Sequence, residues 1–356
     1  MSLTTPRFGI WAPVEGRGQG RYHQPDVPTE VGFQHLKDTV VAAEKLGYES
    51  TLLALHTMRT GNPDIVEPWT AAAAVAAVTS RIEIITAVKA RLFHPVVFAK
   101  LFLGVEDISE GRAGINFVNS FIKAEIEQAG IPFDEHDDRY AYGTEWLHIV
   151  RALISGETVN FQGKYFNVTD YTLRPAARHR ARPRIYSGGE SEPGRVLVST
   201  FSDGWFLQGQ PVEDIKVLVD DLRRRPRAGA PLRYLLSSYV ITRETDDEAE
   251  DVLQSRLAKQ ADQWKQTEAK FKDPKIIDTN AVVFQRMLKR GQVLGGGGGT
   301  GSKLIGSYDR VARRIVEFVD VGIDEFMLQF QPLNEQEAFA HEVIPRVRAL
   351  ALRKAA

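Results

Sequence analysis

The segment Ser187–Ser191 (Ser-Gly-Gly-Glu-Ser) lies between an apolar run and a helical pattern, where a strand should end and a helix begin. Its glycines, Gly188 and Gly189, allow a ligand to approach the backbone closely. Free amides and the N-terminus of a helix attract an anion, and the Ser191 hydroxyl adds a further donor. The pattern therefore indicates a phosphate-binding loop, although a tight turn with Ser191 as the helix N-cap would have the same sequence.

A histidine and two basic residues follow other predicted strands. His56 comes directly after the apolar run 52–55, so it faces the expected ligand-binding edge. We consider two roles for it, direct chemistry or a structural contact. Lys89 and Arg91 follow the third predicted strand, where they either attract an anionic or strongly polar substrate or lie on the surface.

The other histidines do not suggest a metal centre. The chain has eight histidines, and none has the helical spacing of a metal-binding pair. The cluster His136-Asp137-Asp138 contains potential ligands, but Asp137 or Asp138 is better explained as the N-cap of a helix that contains Arg139 and Tyr140. We therefore predict no metal site.

Two glycine-rich segments imitate nucleotide-binding motifs without meeting their requirements. Gly16–Gly20 follows the first predicted strand, but its third glycine is misplaced for a dinucleotide fingerprint, and Pro25 and Pro28 replace the expected helix. In the segment 296–303 the order is Gly-Ser-Lys rather than the Gly-Lys-Ser of a P-loop. We therefore do not expect the chain to draw electrons from a nicotinamide cofactor unaided.

Short apolar runs alternate with amphipathic segments along the chain, which is the pattern of repeated strand–helix units. The predicted strands are Phe8–Ala12, Ser50–Ala54, Ile82–Val88, Ala113–Val118, Arg184–Ser187, Gly204–Leu207, Tyr234–Thr242 and Glu325–Phe330. The predicted helices are Gly32–Leu46, Pro68–Val78, Pro95–Ile108, Asp138–Ile154, Glu192–Phe201, Pro211–Arg225, Tyr308–Val321 and Asn334–Leu352. This order predicts an α/β fold, a (β/α)8 TIM barrel rather than a doubly wound open sheet, with ligands at the carboxyl ends of the strands.

We interpret residues 1–356 as a single barrel domain with two insertions. Residues 157–175 alternate like a small hairpin with Gly163 at its turn. Residues 244–306 form a longer, charged helical insertion that contains five consecutive glycines, Gly295–Gly299. Such a segment is either a linker or a mobile loop, and its place before the last strand favours a loop, 292–302, that closes over the barrel mouth when ligand binds.

Composition restricts the classes of partner. The chain has 356 residues, a formal net charge of −1 and no cysteine. The charge gives no reason to expect nucleic acid or an anionic membrane as a partner, and the missing cysteines exclude disulfides, thiolate metal sites and cysteine nucleophiles. The first residues lack the apolar core of a signal peptide, and no apolar run is long enough to span a bilayer. We expect a soluble, cytoplasmic protein.

Taken together in order and spacing, these motifs resemble the luciferase-like flavin-dependent monooxygenases, and within them the alkanesulfonate, dimethylsulfone and pyrimidine monooxygenase group. The similarity extends over nearly the whole chain. It is carried by the segments Phe8–Pro13, Ala77–Ile82, Ile108–Arg112, Asn116, Lys123–Gly130, Arg139-Tyr140, Phe161–Phe166, Gly188–Ser191 and Leu304–Ser307.

The resemblance implies an (α/β)8 barrel that uses FMN as FMNH2, delivered by a separate NAD(P)H-dependent flavin reductase, with O2 as co-substrate. It implies oxygen transfer to a small polar organic molecule such as a sulfone, sulfonate, amide or pyrimidine. We also expect a homo-oligomer, either a dimer or a tetramer. A deazaflavin-dependent oxidoreductase of the same superfamily and a non-catalytic flavin-binding barrel remain alternatives.

The resemblance also assigns site residues. The implied flavin contacts are Leu55, His56, Asn116, Glu125, Arg139, Tyr140, Gly188, Gly189 and Ser191, and the implied catalytic residues are His56 and Asn116. Arg139, Tyr140 and Ser191 would form a charge-assisted phosphate site. Compared with the sulfonate-oxidising members, the chain has Ser237, Tyr239 and Gln331 at the places of an arginine, a histidine and a tyrosine, which argues against a sulfonate held in the same way.

Overall fold

Eight parallel strands close into a barrel in the computed structural model, which describes residues 5–16, 31–58, 64–279, 281–282, 285–286, 289, 294, 298–330 and 333–355. The barrel strands are β1 Arg7–Trp11, β2 Ser50–Leu53, β3 Glu83–Val88, β4 Ala113–Phe117, β7 Arg184–Ser187, β8 Gly204–Gln208, β9 Arg233–Tyr239 and β12 Glu325–Gln329. They follow one another around the barrel as β1-β12-β9-β8-β7-β4-β3-β2. The predicted (β/α)8 fold and its eight strands are confirmed.

Four further strands of the described residues lie outside the barrel. They form two pairs, the antiparallel hairpin of β5 Val159–Gln162 with β6 Asn167–Tyr171, and the parallel pair of β10 Ile241–Arg243 with β11 Ile305–Ser307. The prediction of one strand over Tyr234–Thr242 is therefore wrong at its end. The chain leaves the barrel after β9 because β10 finds its backbone partner in β11, beyond the insertion.

Helices surround the barrel and connect its strands. The α-helices of the described residues are α1 Phe33–Lys45, α2 Pro68–Ala76, α3 Pro95–Ile108, α4 Lys123–Glu127, α5 His136–Ile154, α6 Glu192–Phe201, α7 Val212–Arg224, α8 Asp246–Phe271, α9 Tyr308–Val321, α10 Glu335–Ala338 and α11 Ile344–Ala355. None of the described helices is both long and apolar enough to cross a membrane.

Helix α5 begins earlier than predicted. Its first residue is His136, and Glu135 stands at the N-cap position without a side-chain cap. The prediction that Asp137 or Asp138 caps this helix is therefore wrong. Both carboxylates lie in the first turn, where negative charge is favourable, and Asp138 accepts hydrogen bonds from Lys164 Nζ at 2.8 Å and from Tyr165 Oη at 2.9 Å.

The hairpin β5–β6 is attached to α5 through one carboxylate. Glu145 accepts hydrogen bonds from the backbone amides of Lys164 and Tyr165 at 2.8 and 2.9 Å. Gly163 precedes these amides, and a Cβ at Gly163 would stand 2.4 Å from Glu145 Oε2. A side chain at this turn would therefore displace the Glu145 carboxylate from these hydrogen bonds.

A network of charged side chains fills the N-terminal end of the barrel. Glu83 accepts hydrogen bonds from Arg184 at 2.7 Å, Arg7 at 3.2 Å and the Tyr186 hydroxyl at 2.7 Å, and Glu325 accepts one from Arg233 at 3.3 Å. Burial alone would raise the pKa of Glu83, but the charges of Arg184 and Arg7 outweigh it and lower that pKa. The end of the barrel opposite the predicted site is thus closed by paired charges.

The insertion packs onto the carboxyl end of the barrel at two places. Its segment 276–278 bonds to the chain after β4: Ala124 N donates to Ile276 O at 3.1 Å, and Asp278 N donates to Phe121 O at 2.8 Å. Further on, the 3₁₀ turn Gly299–Ser302 is buried at both of its end residues. The predicted closing loop 292–302 lies partly outside the described residues, which include only 294 and 298–302 of it.

Candidate active site

Asn116 lies near the end of β4 and points into the barrel. Its register partners, Ala87 on β3 and Tyr186 on β7, belong to the inward-facing set. The side chain is 7% exposed, and its Oδ1 atom is buried without a hydrogen-bond partner among the described residues. Because an unpaired buried acceptor costs free energy, this atom marks a place where a ligand that donates a hydrogen bond would be stabilised.

The glycine loop after β7 forms a cradle beneath a tyrosine. Gly189 has a φ of +112°, which side chains rarely adopt, and a Cβ there would stand 2.8 Å from the Tyr140 hydroxyl. Ser191 is the N-cap of α6, where its Oγ accepts from the amide of Gly194 at 3.4 Å and also hydrogen-bonds Tyr140. The Gly188 amide bonds Phe117 O at 3.4 Å, which joins this loop to the end of β4.

The cradle has the composition of an anion site. Two hydroxyls, those of Tyr140 and Ser191, meet at the N-terminus of a ten-residue helix. Burial raises the pKa of Tyr140, so its hydroxyl keeps its proton and can donate it in a hydrogen bond. Of the predicted phosphate ligands, the structure therefore brings Tyr140, Ser191 and Gly189 together.

The contacts of Arg139 are with the insertion and with the segment before α5. Its guanidinium forms an ion pair with Asp278 of the insertion, donates to Asp134 O at 2.7 Å and stacks on the Phe133 ring at 4.2 Å. The side chain is 7% exposed. Arg139 thus holds the insertion beside the site, and its charge also acts on the Tyr140 hydroxyl, where burial raises the pKa and Arg139 lowers it. Its role as a phosphate ligand stays a prediction.

A second contact ties the insertion to the glycine loop. Glu190, in the middle of that loop, accepts a hydrogen bond from Gln210 Nε2 at 2.8 Å and pairs with Arg286. Glu190 is 5% exposed, so its charge is compensated out of contact with water. Sequence reasoning missed Arg286 and Asp278, because their partners lie 96 and 139 positions away.

His56 belongs to a buried charged cluster at the ends of β2 and β3. Lys89 Nζ lies 3.2 Å from His56 Nδ1 and also pairs with Glu125. The Glu125 carboxylate accepts from the Thr57 amide at 2.8 Å and lies 3.4 Å from His56 Nδ1. On the other edge of the ring, His56 Nε2 is 3.7 Å from Glu15 Oε1.

The cluster fixes the charge of its members. Burial opposes ionisation of Glu125, but the hydrogen bond from His56 and the charge of Lys89 outweigh it and lower the pKa of Glu125 to about 2. Burial, followed by the charge of Lys89, lowers the pKa of His56. At neutral pH the cluster therefore holds an ionised carboxylate, an ammonium and a neutral imidazole.

These contacts place three residues that the sequence analysis singles out, and the flavin contacts expected of Glu125 and Leu55 stay predictions. Glu125 is 1% exposed and is directed at Lys89, His56 and Thr57. The surface alternative for Lys89 is wrong, since it is 4% exposed. Leu55 is buried in the main hydrophobic core.

Arg91 packs beside a small cavity next to the cluster. Its guanidinium pairs with Asp134 and lies 3.9 Å above the Tyr142 ring. Lys89, Asn119 and Arg139 also line this cavity. Among the residues that the structure describes, no group of three or more histidines and carboxylates is arranged to hold a metal ion.

Two of the three positions at which the sequence is expected to differ from the sulfonate-oxidising enzymes, Ser237 and Tyr239, lie on β9. Ser237 Oγ accepts a hydrogen bond from Trp11 Nε1 at 3.0 Å, across the barrel mouth. The Tyr239 hydroxyl accepts one from Arg256 of α8 at 2.8 Å, and burial raises the pKa of Tyr239 to about 12. Gln331 lies outside the described residues.

Comparison with known proteins decides the family. The family model of the luciferase-like monooxygenases matches residues 6–325. The chain belongs to the luciferase-like monooxygenase family. The barrel and the site described above lie almost entirely within the matched range, and the family predicted from the sequence is confirmed.

Individual luciferase-like relatives match the chain over nearly its whole length. The chain is 29% identical over 354 residues to the FMNH2-dependent dimethylsulfone monooxygenase of Pseudomonas putida, covering 97% of this chain and 96% of the relative. Among solved structures, riboflavin lyase with modified FMN and riboflavin has a TM-score of 0.81 at 19% identity, covering 99% and 93% of the two chains. Long-chain alkane monooxygenase has a TM-score of 0.76 at 21% identity, covering 97% and 92%.

Proposed function

We propose that this protein is a two-component, FMNH2-dependent monooxygenase that transfers one oxygen atom of O2 to a small polar organic substrate. The observation that carries the proposal is the presence, at one end of the barrel, of a hydroxyl-lined anion cradle and a buried acceptor, Asn116 Oδ1, that has no partner among the described residues. A ligand with a phosphate at one end and hydrogen-bond donors at the other, as in FMN, fits both features. The full-length similarity to an FMNH2-dependent relative supports the same cofactor.

The residues present fit FMN without further assumptions. Ser191, Tyr140 and the N-terminus of α6 would hold the phosphate, next to the backbone of Gly189. Asn116 Oδ1 would accept a hydrogen bond from the flavin ring or the ribityl chain. Arg139 would act indirectly, because its ion pair with Asp278 holds the insertion next to Tyr140.

Reduced FMN would supply the electrons and the oxygen chemistry, and the protein's task is to bind, to orient and to exclude water. His56 would hold a proton at the mouth. His56 Nδ1 lies 3.2 Å from the Lys89 ammonium and 3.4 Å from the Glu125 carboxylate, so both neighbours act on the same ring nitrogen. In this proposal Glu125 is a positioning residue, which holds Lys89 against His56.

The experiment that tests this function follows labelled oxygen. The protein is supplied with a flavin reductase, NADH, FMN and ¹⁸O2, and a panel of small sulfones, sulfonates, amides and pyrimidines is analysed by mass spectrometry. We expect one ¹⁸O atom in the product of at least one substrate. Absence of label throughout the panel, with peroxide as the sole product, would contradict the proposal, and tight binding of a deazaflavin but not of FMNH2 would favour the alternative hydride-transfer enzyme.

A further inference from the structure

The strand register determines which side chains face the barrel mouth. Six side chains form a cluster inside the barrel, namely Leu52, Ile85, Tyr186, Phe206, Leu235 and Met327. Successive residues of a strand point to opposite faces, so the residue two positions further also points inward. These next positions are Ala54, Ala87, Gly188, Gln208, Ser237 and Gln329. On β1, Trp11 occupies the equivalent inward position and packs on the same cluster.

The mouth positions divide into two contiguous halves. Ala54 and Gly188 directly follow β2 and β7, and Ala87 lies near the end of β3. Together with β4, these strands are consecutive in the barrel order. We call these three residues the small arc. The remaining strands, β8, β9, β12 and β1, are also neighbours in the barrel. They carry Gln208, Ser237, Gln329 and Trp11, which we call the polar arc.

The small arc leaves room for a planar ligand. Its side chains are no larger than a methyl group, and the unpartnered Asn116 Oδ1 lies on the strand between them. A flavin ring placed over this half would meet a flat floor and an acceptor. The polar arc is then the half of the mouth that remains for the substrate.

The polar arc offers hydrogen bonds without charge. Trp11 Nε1 donates to Ser237 Oγ at 3.0 Å, and the carboxamide of Gln208 contains two N–H donors. All four side chains are uncharged at every physiological pH. They suit a neutral molecule whose oxygen atoms accept hydrogen bonds.

Among the residues that the structure describes, five basic side chains around the mouth are already compensated by carboxylates. The pairs are Lys89 with Glu125, Arg91 with Asp134, Arg139 with Asp278, Arg256 with Glu335 and Arg286 with Glu190. An anionic substrate would have to compete with these carboxylates and would lose its hydration on entry. A neutral substrate has neither disadvantage.

We propose that the substrate lies on the polar arc and is a small uncharged molecule with sulfonyl- or carbonyl-type oxygen acceptors, rather than an anion. This inference rests on the proposed function, because the flavin must occupy the small arc. The test is anaerobic calorimetry on the FMNH2-saturated protein with dimethyl sulfone and methanesulfonate, which are nearly equal in size and differ in charge. We expect dimethyl sulfone to bind at least about tenfold more tightly, the effect of about 1.4 kcal/mol.

Equal affinities, tighter binding of methanesulfonate or no binding of either compound would overturn the proposal. A separate FMNH2 titration, made first, distinguishes this failure from a failure of the proposed function, in which FMNH2 itself would not bind. Both results are equilibrium affinities and do not depend on turnover.

Variants of the polar arc provide a second measurement. Gln208→Leu and Ser237→Ala should each weaken dimethyl sulfone binding by roughly threefold to tenfold, the effect of one neutral hydrogen bond, and leave FMNH2 affinity unchanged. Ser199→Ala is the matched control, because Ser199 is buried in α6 and its hydroxyl donates to Val196 O. Gln208→Lys should raise methanesulfonate affinity. Sulfone affinity within twofold of the wild type in both arc variants would overturn the placement.

Discussion

The Tyr140 hydroxyl lies so close to Gly189 that a Cβ built on the glycine would stand only 2.8 Å from it. We assign two chain segments to the FMN phosphate, namely the start of α5 and the loop after β7. Because residue 189 is a glycine, these segments are in contact without a side chain between them. The neighbouring Gly188 has no such restriction, since a Cβ there would meet only Phe206 O at 3.9 Å.

We predict that Gly189→Ala destabilises the protein by about 1–3 kcal/mol, because alanine is strained at a φ of +112° and displaces Tyr140. FMNH2 affinity should fall as well, measured by anaerobic fluorescence titration alongside urea denaturation. Gly188→Ala is the matched control and should fold with nearly wild-type stability. If both variants bind FMNH2 as the wild type does, the cradle is not the phosphate site.

Asn116 Oδ1 on β4 gives a prediction in which the affinity for FMNH2 changes and the stability of the free protein does not. Asn116→Leu should weaken FMNH2 binding by about 0.5–1.5 kcal/mol, the net contribution of one neutral hydrogen bond. It should not destabilise the free protein by removing a hydrogen bond, because Oδ1 has none among the described residues. Thr86→Val is the control, since the Thr86 hydroxyl is also buried and unpartnered but lies on the outer face of β3. Equal FMNH2 affinity in all three proteins would remove Asn116 from the flavin site.

The buried Glu125 predicts a pH dependence of stability. Its pKa is lowered from 4.5 to about 2 in the folded protein, so its contribution is fully present above pH 4.5 and is lost as the pH falls toward 2. The shift corresponds to about 3 kcal/mol. The difference in the free energy of unfolding between the wild type and Glu125→Gln should therefore shrink between pH 5 and pH 3, as followed by urea denaturation.

The matched control for this measurement is Glu127→Gln, because Glu127 lies on the same helix and is exposed. Its stability difference from the wild type should be small at every pH. A pH-independent difference for Glu125→Gln would show that the carboxylate is not held ionised by its neighbours.

Lys89 is expected to control the protonation of His56. Burial and the Lys89 charge lower the pKa of His56, so replacing Lys89 by Met should raise that pKa. The proton NMR titration of the His56 ring measures the shift directly, and the acid limb of the pH–activity profile should move in the same direction. Lys100→Met is the control, since Lys100 is exposed and bonds Arg174 O. An unchanged or lower His56 pKa in Lys89→Met would refute the assigned role.

The barrel could be predicted from the sequence because its signal is local. Strands such as Glu83–Val88 and Gly204–Gln208 are short apolar runs, buried on both faces, and each is followed by an amphipathic helix. The break after Tyr239 was missed because it depends on pairing between Ile241 and Ile305, with the whole insertion between them.

The site was predictable in its location but not in its contacts. The glycine loop and the Arg139-Tyr140 pair are visible as neighbours in the sequence, and both lie at the expected end of the strands. The partner of Arg139 is Asp278, and that of Lys89 is Glu125. Nothing in a local sequence pattern shows which charged side chains pair with each other at the mouth. The sequence therefore does not reveal that Arg139 and Lys89 have carboxylate partners.

The charged network around Glu83 and Glu325 has a consequence for the order of events in a catalytic cycle. Because arginine–carboxylate pairs block the N-terminal end of the barrel, cofactor, substrate and product would all pass through the opposite end. A substrate seated on the polar arc would stand in the path of a departing flavin. Entry and exit of all ligands at one end of the barrel favour an ordered binding sequence, in which the flavin binds first and dissociates last.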